Sequence, residues 1–124
     1  MNKVMHFELP AEEMDRAARF YERVFGWKIN RGDKNYYLVN TVATDEKGMP
    51  QELGGINGGI QPRNDTAQAP ILVIQVPDLE AALKKVEEAG GTIVMPKVKI
   101  ENILYYARVE DTEGNVIGLG QDLH

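Results

Sequence analysis

The run "VMHFEL" at residues 4 to 9 places a histidine and a carboxylate two residues apart in a predicted strand. Because successive side chains of a strand point to opposite faces, His6 and Glu8 share one face. A histidine beside a carboxylate can act as a general base, since it titrates near neutral pH. The ordinary alternative is a hydrogen-bonded histidine next to a salt-bridged or solvated glutamate. The run therefore marks His6 and Glu8 as candidate catalytic residues.

The composition excludes several kinds of chemistry and partner. The 124 residues include no cysteine, which rules out disulfides, thiolate metal sites and cysteine nucleophiles and suits a reducing compartment. The 19 acidic and 14 basic residues are intermixed, so no basic stripe is available to neutralise phosphates. No segment has the pattern of a signal peptide or a membrane span. We therefore expect a cytoplasmic protein with no nucleic-acid or membrane partner.

The first half of the chain predicts a strand, a helix and several short strands. Residues 3–9 are rich in apolar types and are followed by Pro10, which indicates a strand and a turn. A helix follows, because apolar residues recur at helical spacing: Met14, Ala17, Ala18, Tyr21, Val24 and Phe25. Gly26 ends this helix. The stretch after it predicts short strands, the last near residues 53–60.

The second half repeats this order after a polar linker at residues 61–70. The run "ILVIQV" predicts a strand, and Asp78 is a suitable N-cap for the helix that follows. "TIVMPK" and "ILYYARVE" predict two further strands, and "DTEGN" predicts a turn into the strand "VIGLGQ". Superposing the two halves places His6 on Ile71.

This repetition predicts an α+β protein built from two βαβββ modules. The modules comprise about residues 1–60 and 71–124 and belong to one domain, with mixed, mostly antiparallel sheets. Neither sheet could cover both of its faces alone, so we expect the two modules to share faces.

Four segments, in this order and spacing, resemble the vicinal oxygen chelate superfamily: "HFELPAEEMDRAARFYERVFGW", "GGINGGIQPR", "VPDLEAALKKVEEAGGTIVMPK" and "EDTEGNVIGLGQ". This superfamily contains glyoxalases, extradiol dioxygenases, fosfomycin-modifying enzymes and bleomycin-binding proteins. The resemblance covers nearly the whole chain. It implies paired modules whose sheets form a cup for a small molecule, commonly completed by a second chain. We therefore expect a homodimer with a small-molecule ligand.

The resemblance also implies where a divalent metal would bind. His6 stands where the family places its first histidine ligand, but the corresponding positions of the second module are Ile71 and Gly118, which offer no side-chain ligand. The remaining position falls near Asn57, a weak neutral ligand. Catalytic zinc normally takes three protein side chains, so His6, even with Glu8, predicts an incomplete site. We therefore expect that no metal is bound, and a divalent metal ion is the less favoured alternative.

Further residues are candidates for a ligand pocket. Of each tyrosine pair, 36–37 and 105–106, one ring should face the helix and the other the cup, where Tyr106 and Arg108 could contact a planar ligand. Gln75 is placed to hydrogen-bond a ligand or solvent, and Gly118 indicates a close approach of another group. Asn57 completes the predicted pocket.

Three functions agree with these observations. The first is a metal-free protein that binds an aromatic or otherwise planar compound. The second is a metal-dependent lyase, isomerase or dioxygenase in which His6 binds the metal and Glu8, Asn57, water or substrate fills the other positions. The third is a structural or regulatory protein whose cup is filled by side chains. The sequence alone leaves open whether the chain is an enzyme and which compound it binds.

Overall fold

The computed structural model describes residues 1–123, and these form two helices and eight strands. They divide into two compact units. The N-terminal unit comprises His6–Pro70, and the C-terminal unit comprises the residues from Ile71 onward together with Met1–Met5. The predicted α+β class is confirmed. Among the described residues, no helix is long and apolar enough to cross a bilayer.

The N-terminal unit contains one helix and four strands: β1 (Val4–Ala11) from His6 onward, α1 (Met14–Phe25), β2 (Lys28–Asp33), β3 (Tyr36–Asn40) and β4 (Gly58–Pro62). The strand order is β2-β3-β4-β1, with β1 parallel to β4 and the other pairs antiparallel. One face of the sheet packs on α1 around a buried core of Ala11, Ala18, Tyr37, Val39 and Ile60. The helix ends at Gly26, as predicted, because Gly26 adopts φ +71° and donates its backbone N–H to the Glu22 carbonyl.

The C-terminal unit repeats this plan with β5 (Ile71–Gln75), α2 (Leu79–Glu88), β6 (Thr92–Ile100), β7 (Leu104–Glu110) and β8 (Val116–Asp122). Here the order is β5-β8-β7-β6, with β5 parallel to β8 and the other pairs antiparallel. The predicted N-cap is confirmed, since the Asp78 carboxylate accepts a hydrogen bond from the Ala81 backbone N–H. The core beneath α2 consists of Val76, Leu79, Leu83, Ala107, Val109 and Leu119.

Three strands differ from the predicted ones by two or more residues at an end, and prolines explain two of these differences. β1 continues through Pro10 to Ala11, whose carbonyl accepts a hydrogen bond from the Arg63 N–H. β6 continues past Pro96 to Ile100 with a register shift between Met95 and Val98 that accommodates the missing N–H. The third difference is β4, which begins at residue 58 and extends two residues into the predicted linker.

The strand register corrects one equivalence between the two halves. Glu8 pairs with Gly59 across β1 and β4, and Val73 pairs with Gly118 across β5 and β8. Since Glu8 and Val73 are equivalent, Gly118 corresponds to Gly59, so its predicted match with Asn57 was wrong by two residues. The error arose because Ile56 and Gly59 have the same three-residue spacing as Ile117 and Gly120, so the residue types alone also fit an alignment two residues away.

Candidate functional site

A group of polar side chains on the sheet of the N-terminal unit contains His6 and Glu8 on one face, as the strand alternation predicts. A third residue, Tyr36 of β3, joins them. The His6 Nε2 atom lies 2.7 Å from the Tyr36 hydroxyl oxygen, and that hydroxyl donates a hydrogen bond to Glu8 Oε2 at 3.2 Å. We name these three residues the hydroxyl-bridged cluster. Glu8 is buried, while His6 and Tyr36 are half-buried, so the cluster presents its rings toward the surface.

Tyr37 explains why Tyr36 points to this face. The Tyr37 ring is buried on the helix side, where its hydroxyl donates to Asp15 of α1 at 2.7 Å. Neighbouring residues of a strand point to opposite faces, so Tyr36 must point away from α1. The hydrogen bond from Tyr37 lowers the pKa of Asp15, and the Asp15 carboxylate in turn raises the pKa of Tyr37. Both pKa shifts keep Asp15 ionised and Tyr37 protonated at neutral pH, so the hydrogen bond between them is retained.

Gly59 provides the space in which Tyr36 lies. It pairs with Glu8 on one side and with Leu38 on the other, so it occupies the same sheet face as the cluster. A Cβ atom at position 59 would overlap the Tyr36 ring. The absent side chain therefore allows the ring to lie across β4 and reach both His6 and Glu8.

Electrostatics favour a neutral His6. Burial lowers its pKa below the ordinary value of 6.5, and the nearby Glu8 carboxylate opposes this shift only in part. Because the Tyr36 hydroxyl proton is directed to Glu8, the hydrogen-bond network assigns the imidazole proton to Nε2. The Nδ1 atom then carries the lone pair. At neutral pH the cluster therefore offers a base at His6 and a phenol polarised by a carboxylate.

These residues do not fit the metal site that the resemblance implied. The Nε2 atom of His6 is engaged with the Tyr36 phenol, and Glu8 accepts a hydrogen bond from the same hydroxyl. Both polar atoms of the Asn57 amide are also engaged, since it accepts from the Thr41 N–H at 2.9 Å and donates to the Thr44 hydroxyl at 2.8 Å. Among residues 1–123, no three His, Cys, Asp or Glu side chains cluster as metal ligands would. Three protein ligands are the usual minimum for catalytic zinc.

The C-terminal unit brings together Tyr106, Arg108 and Gly118. Arg108 Nε donates to the Tyr106 hydroxyl at 2.9 Å, and both side chains are only 5% exposed. Arg108 pairs with Gly118 across β7 and β8, and a Cβ atom at position 118 would lie 2.6 Å from the Tyr106 hydroxyl oxygen. By strand register Tyr106 is the counterpart of Tyr36. In each unit a tyrosine ring therefore packs on a strand glycine, Gly59 for Tyr36 and Gly118 for Tyr106. The role of these three residues as pocket residues stays a prediction.

Gln75 is the last residue of β5 and is in register with Gly120 of β8. Its side-chain amide donates to the Asp122 carboxylate at 2.8 Å. It lines an open surface cavity of about 600 Å³ together with Met1, Asn2, Lys3, Val76, Pro77, Gln121 and Asp122. The mixed polar lining agrees with either of the two roles expected for Gln75, a ligand contact or a solvent contact.

Sequence reasoning missed two residues of the site, Tyr36 and Gly59. The alternation of strand side chains predicts that Tyr36 and Tyr37 point to opposite faces of the sheet, but it does not determine which of them faces the helix. The deciding signal was Asp15 in the first turn of α1, a hydrogen-bond acceptor that selects Tyr37 for the helix side. The glycine opposite Glu8 could be identified only from the register of β4.

Comparisons with known proteins agree with this architecture. The model of the Glyoxalase/Bleomycin resistance protein/Dioxygenase superfamily matches residues 3–119. The chain belongs to this superfamily. A "Glyoxylase-like domain-containing protein" from Didymella fabae is 24% identical over 115 residues, which cover 91% of this chain and 88% of that protein.

Two solved structures are similar to this chain in fold. A hypothetical protein from Bacillus halodurans has a TM-score of 0.69 at 13% identity, covering 99% of this chain and 96% of its own. A superfamily member from Vibrio splendidus has a TM-score of 0.65 at 15% identity, covering 98% of this chain and all of its own. At these identities the likeness concerns the fold.

Proposed function

We propose that this superfamily member binds a small molecule without a metal, at the hydroxyl-bridged cluster of the N-terminal unit. The observation that carries the proposal is the 2.7 Å contact between His6 Nε2 and the Tyr36 hydroxyl. A metal at His6 Nε2 would have to displace this hydrogen bond and would then find too few further ligands nearby. A ligand that contacts the Tyr36 ring and the His6 Nδ1 edge needs no such rearrangement.

The surroundings of the cluster favour a planar ligand with one polar group. The His6 and Tyr36 rings lie 6.3 Å apart and within 19° of parallel, so they form a flat aromatic surface. Leu38, which pairs with Gly59, extends this surface with an apolar side chain that is 54% exposed. A planar ring can stack on this surface while its polar group meets the neutral imidazole.

A second candidate function is proton transfer on the bound molecule. The lowered pKa of His6 supports it, because a neutral imidazole at pH 7 can accept a proton at Nδ1. The proton would leave one carbon of the substrate, bind to His6 Nδ1 and return from that atom to another carbon of the same molecule, so the step is an isomerisation that needs no redox partner. This candidate requires turnover, whereas the leading proposal requires only binding.

The test is equilibrium binding of bleomycin and of a set of planar phenols and aromatic acids, measured by titration calorimetry. Tyr36→Phe removes the hydroxyl that holds the His6 imidazole in place for the ligand's polar group, so it should weaken binding of an identified ligand by about tenfold, the value of one hydrogen bond. His6→Ala should stay within a similar range. Tyr37→Phe, the neighbouring tyrosine on the helix face, is the matched control and should leave affinity unchanged.

Two outcomes would contradict the proposal. One is a ligand whose affinity is the same in Tyr36→Phe as in the unmodified chain, which would place its site elsewhere. The other is an affinity loss beyond about a hundredfold in His6→Ala that depends on added divalent metal, which would make His6 a metal ligand. Turnover of a bound compound that is lost in His6→Ala but unaffected by chelators would support the proton-transfer candidate.

A further inference from the structure

A chemically reactive pair of residues lies where the chain enters β4. Asn57 is the only asparagine of the chain that is followed by glycine, Gly58. The side-chain amide of asparagine is thermolabile, because the backbone nitrogen of the next residue can attack its Cγ atom. Glycine favours this attack, since it has no Cβ atom to obstruct the approach. The sequence therefore concentrates its susceptibility to deamidation at Asn57.

The fold requires both members of this pair. Gly58 is in register with Phe7 of β1, and a Cβ atom at position 58 would lie 2.5 Å from the Phe7 carbonyl oxygen. Asn57 is only 9% exposed, and it both accepts from the Thr41 N–H and donates to the Thr44 hydroxyl. An aspartate could accept the first hydrogen bond but could not donate the second. The reactive pair is thus a consequence of the packing of β1, β3 and β4.

The same packing opposes the reaction in the closed structure. Ring closure requires the Asn57 Cγ atom to turn onto the Gly58 nitrogen, and the two hydrogen bonds of the side-chain amide hold it in another position. The connection between β3 and β4 that supplies these partners is exposed over residues 45–49 and 51–54. Segments with many exposed residues open locally at a lower free energy than the core. Opening of this connection would free the amide to react.

We propose that Asn57 is a deamidation site controlled by local opening of the β3–β4 connection, and that its isoaspartate product disrupts the hydroxyl-bridged cluster. The Gly58 nitrogen loses its proton to solvent base and bonds to Asn57 Cγ. The bond from Cγ to Nδ2 breaks, and Nδ2 takes up a proton and leaves as ammonia. Water then opens the cyclic imide at either carbonyl, which gives aspartate or isoaspartate. The net change is hydrolysis of one amide, so no oxidant or reductant is needed.

The position of the product explains its effect on the cluster. Both products lose the hydrogen bond to Thr44 and place a negative charge at a buried position. In isoaspartate the main chain also gains one carbon atom immediately before Gly58. The next residue, Gly59, is in register with Glu8 and provides the space for the Tyr36 ring. A longer main chain at this point shifts β4 along β1 and therefore moves Tyr36 away from its hydrogen-bond partners.

Peptide mapping by mass spectrometry measures the reaction at Asn57 in the full chain incubated in mildly alkaline buffer. Thr44→Val removes the acceptor of the Asn57 amide, so it should accelerate deamidation of the folded chain by up to about tenfold, the value of one hydrogen bond. Thr112→Val is the matched control, because the Thr112 hydroxyl bonds to Glu113 in the C-terminal unit. It should leave the rate unchanged. In guanidinium chloride that unfolds the protein, all three chains should react at one rate that exceeds the folded rates.

The rate below the unfolding transition provides a second test of local opening. It should rise as guanidinium chloride is added to the unmodified chain, because denaturant favours states that expose more surface. Circular dichroism checks that each variant is folded, and this dependence decides the matter if Thr44→Val is not. No reaction at Asn57 in the folded chain, or a rate unaffected by both Thr44→Val and added guanidinium chloride, would overturn the proposed site and its control.

The effect on the cluster is tested by combining the modification with Tyr36→Phe. Anion exchange isolates the reacted chain through its additional negative charge. Tyr36→Phe should lower the denaturation midpoint of the isoaspartate chain clearly less than that of the unreacted chain, because the cluster bonds are already lost. Asn57→Asp carries the charge without the longer main chain and should retain most of the Tyr36 effect. An equal effect of Tyr36→Phe in the isoaspartate and unreacted chains would overturn the proposed disruption. These measurements involve no ligand and are independent of the proposed function.

Discussion

Replacing Tyr36 by phenylalanine tests the hydroxyl-bridged cluster most severely, because it removes one oxygen atom and two hydrogen bonds. The bond with His6 is short, at 2.7 Å, and a neutral bond of this kind contributes about 0.5–1.5 kcal/mol. The bond to the Glu8 carboxylate contributes about 1.5–3 kcal/mol in general, but its 3.2 Å length places it at the lower end. We therefore expect Tyr36→Phe to lower the free energy of unfolding by about 2–3 kcal/mol.

Urea denaturation followed by tryptophan fluorescence measures this loss. Trp27 is the single tryptophan of the chain and packs against the core of the N-terminal unit, so it reports the unfolding of the unit that contains the cluster. The urea midpoint should fall by about 1 M. Tyr37→Phe removes the single hydrogen bond to the exposed Asp15 carboxylate and should cause a clearly smaller shift. A shift in Tyr36→Phe no larger than that in Tyr37→Phe would refute the reasoning, because the cluster would then contribute no net stability.

Three other variants probe the neighbouring residues. Gly59→Ala should displace the Tyr36 ring and destabilise the N-terminal unit by about 1–3 kcal/mol in the same urea assay, and an unchanged midpoint would show that the ring has another place to lie. Asn57→Ala should cost about 1–3 kcal/mol through the lost bonds to Thr41 and Thr44 while leaving ligand affinity unchanged; lost affinity in a stable variant would make it a ligand residue. Because burial lowers the pKa of His6, the unfolded chain binds its proton more readily, so stability should fall as the pH decreases below about 6.5, and His6→Gln should flatten this dependence between pH 7 and 5.

Much of the fold could be predicted from residue patterns because the relevant signals are local. The apolar stripe of α1 and the stop at Gly26 depend on neighbours within one or two turns, and so does the cap at Asp78. Strand ends were less predictable where proline was present. Proline usually ends a strand, yet β1 and β6 continue past Pro10 and Pro96 because a parallel neighbour or a register shift dispenses with the missing N–H.

The candidate site could be predicted only in part, because some of its contacts join residues that are far apart in sequence. His6 and Glu8 lie on one strand, so the period of two places them together. Tyr36 is 28 residues from Glu8 in sequence, and its contribution depends on the register of β3 and β4 and on a glycine at position 59. The residue types of β4 do not define this register by themselves, and the slip from Gly59 to Asn57 has the same cause.

The divalent metal content of untagged protein, purified without chelator and compared with the His6→Ala variant, shows whether His6 binds a metal. We expect well below one equivalent of metal in both proteins, because His6 Nε2 is engaged with Tyr36 and its neighbours supply too few ligands. A near-stoichiometric metal that disappears in His6→Ala would instead identify His6 as a metal ligand and rule out metal-free binding at the hydroxyl-bridged cluster.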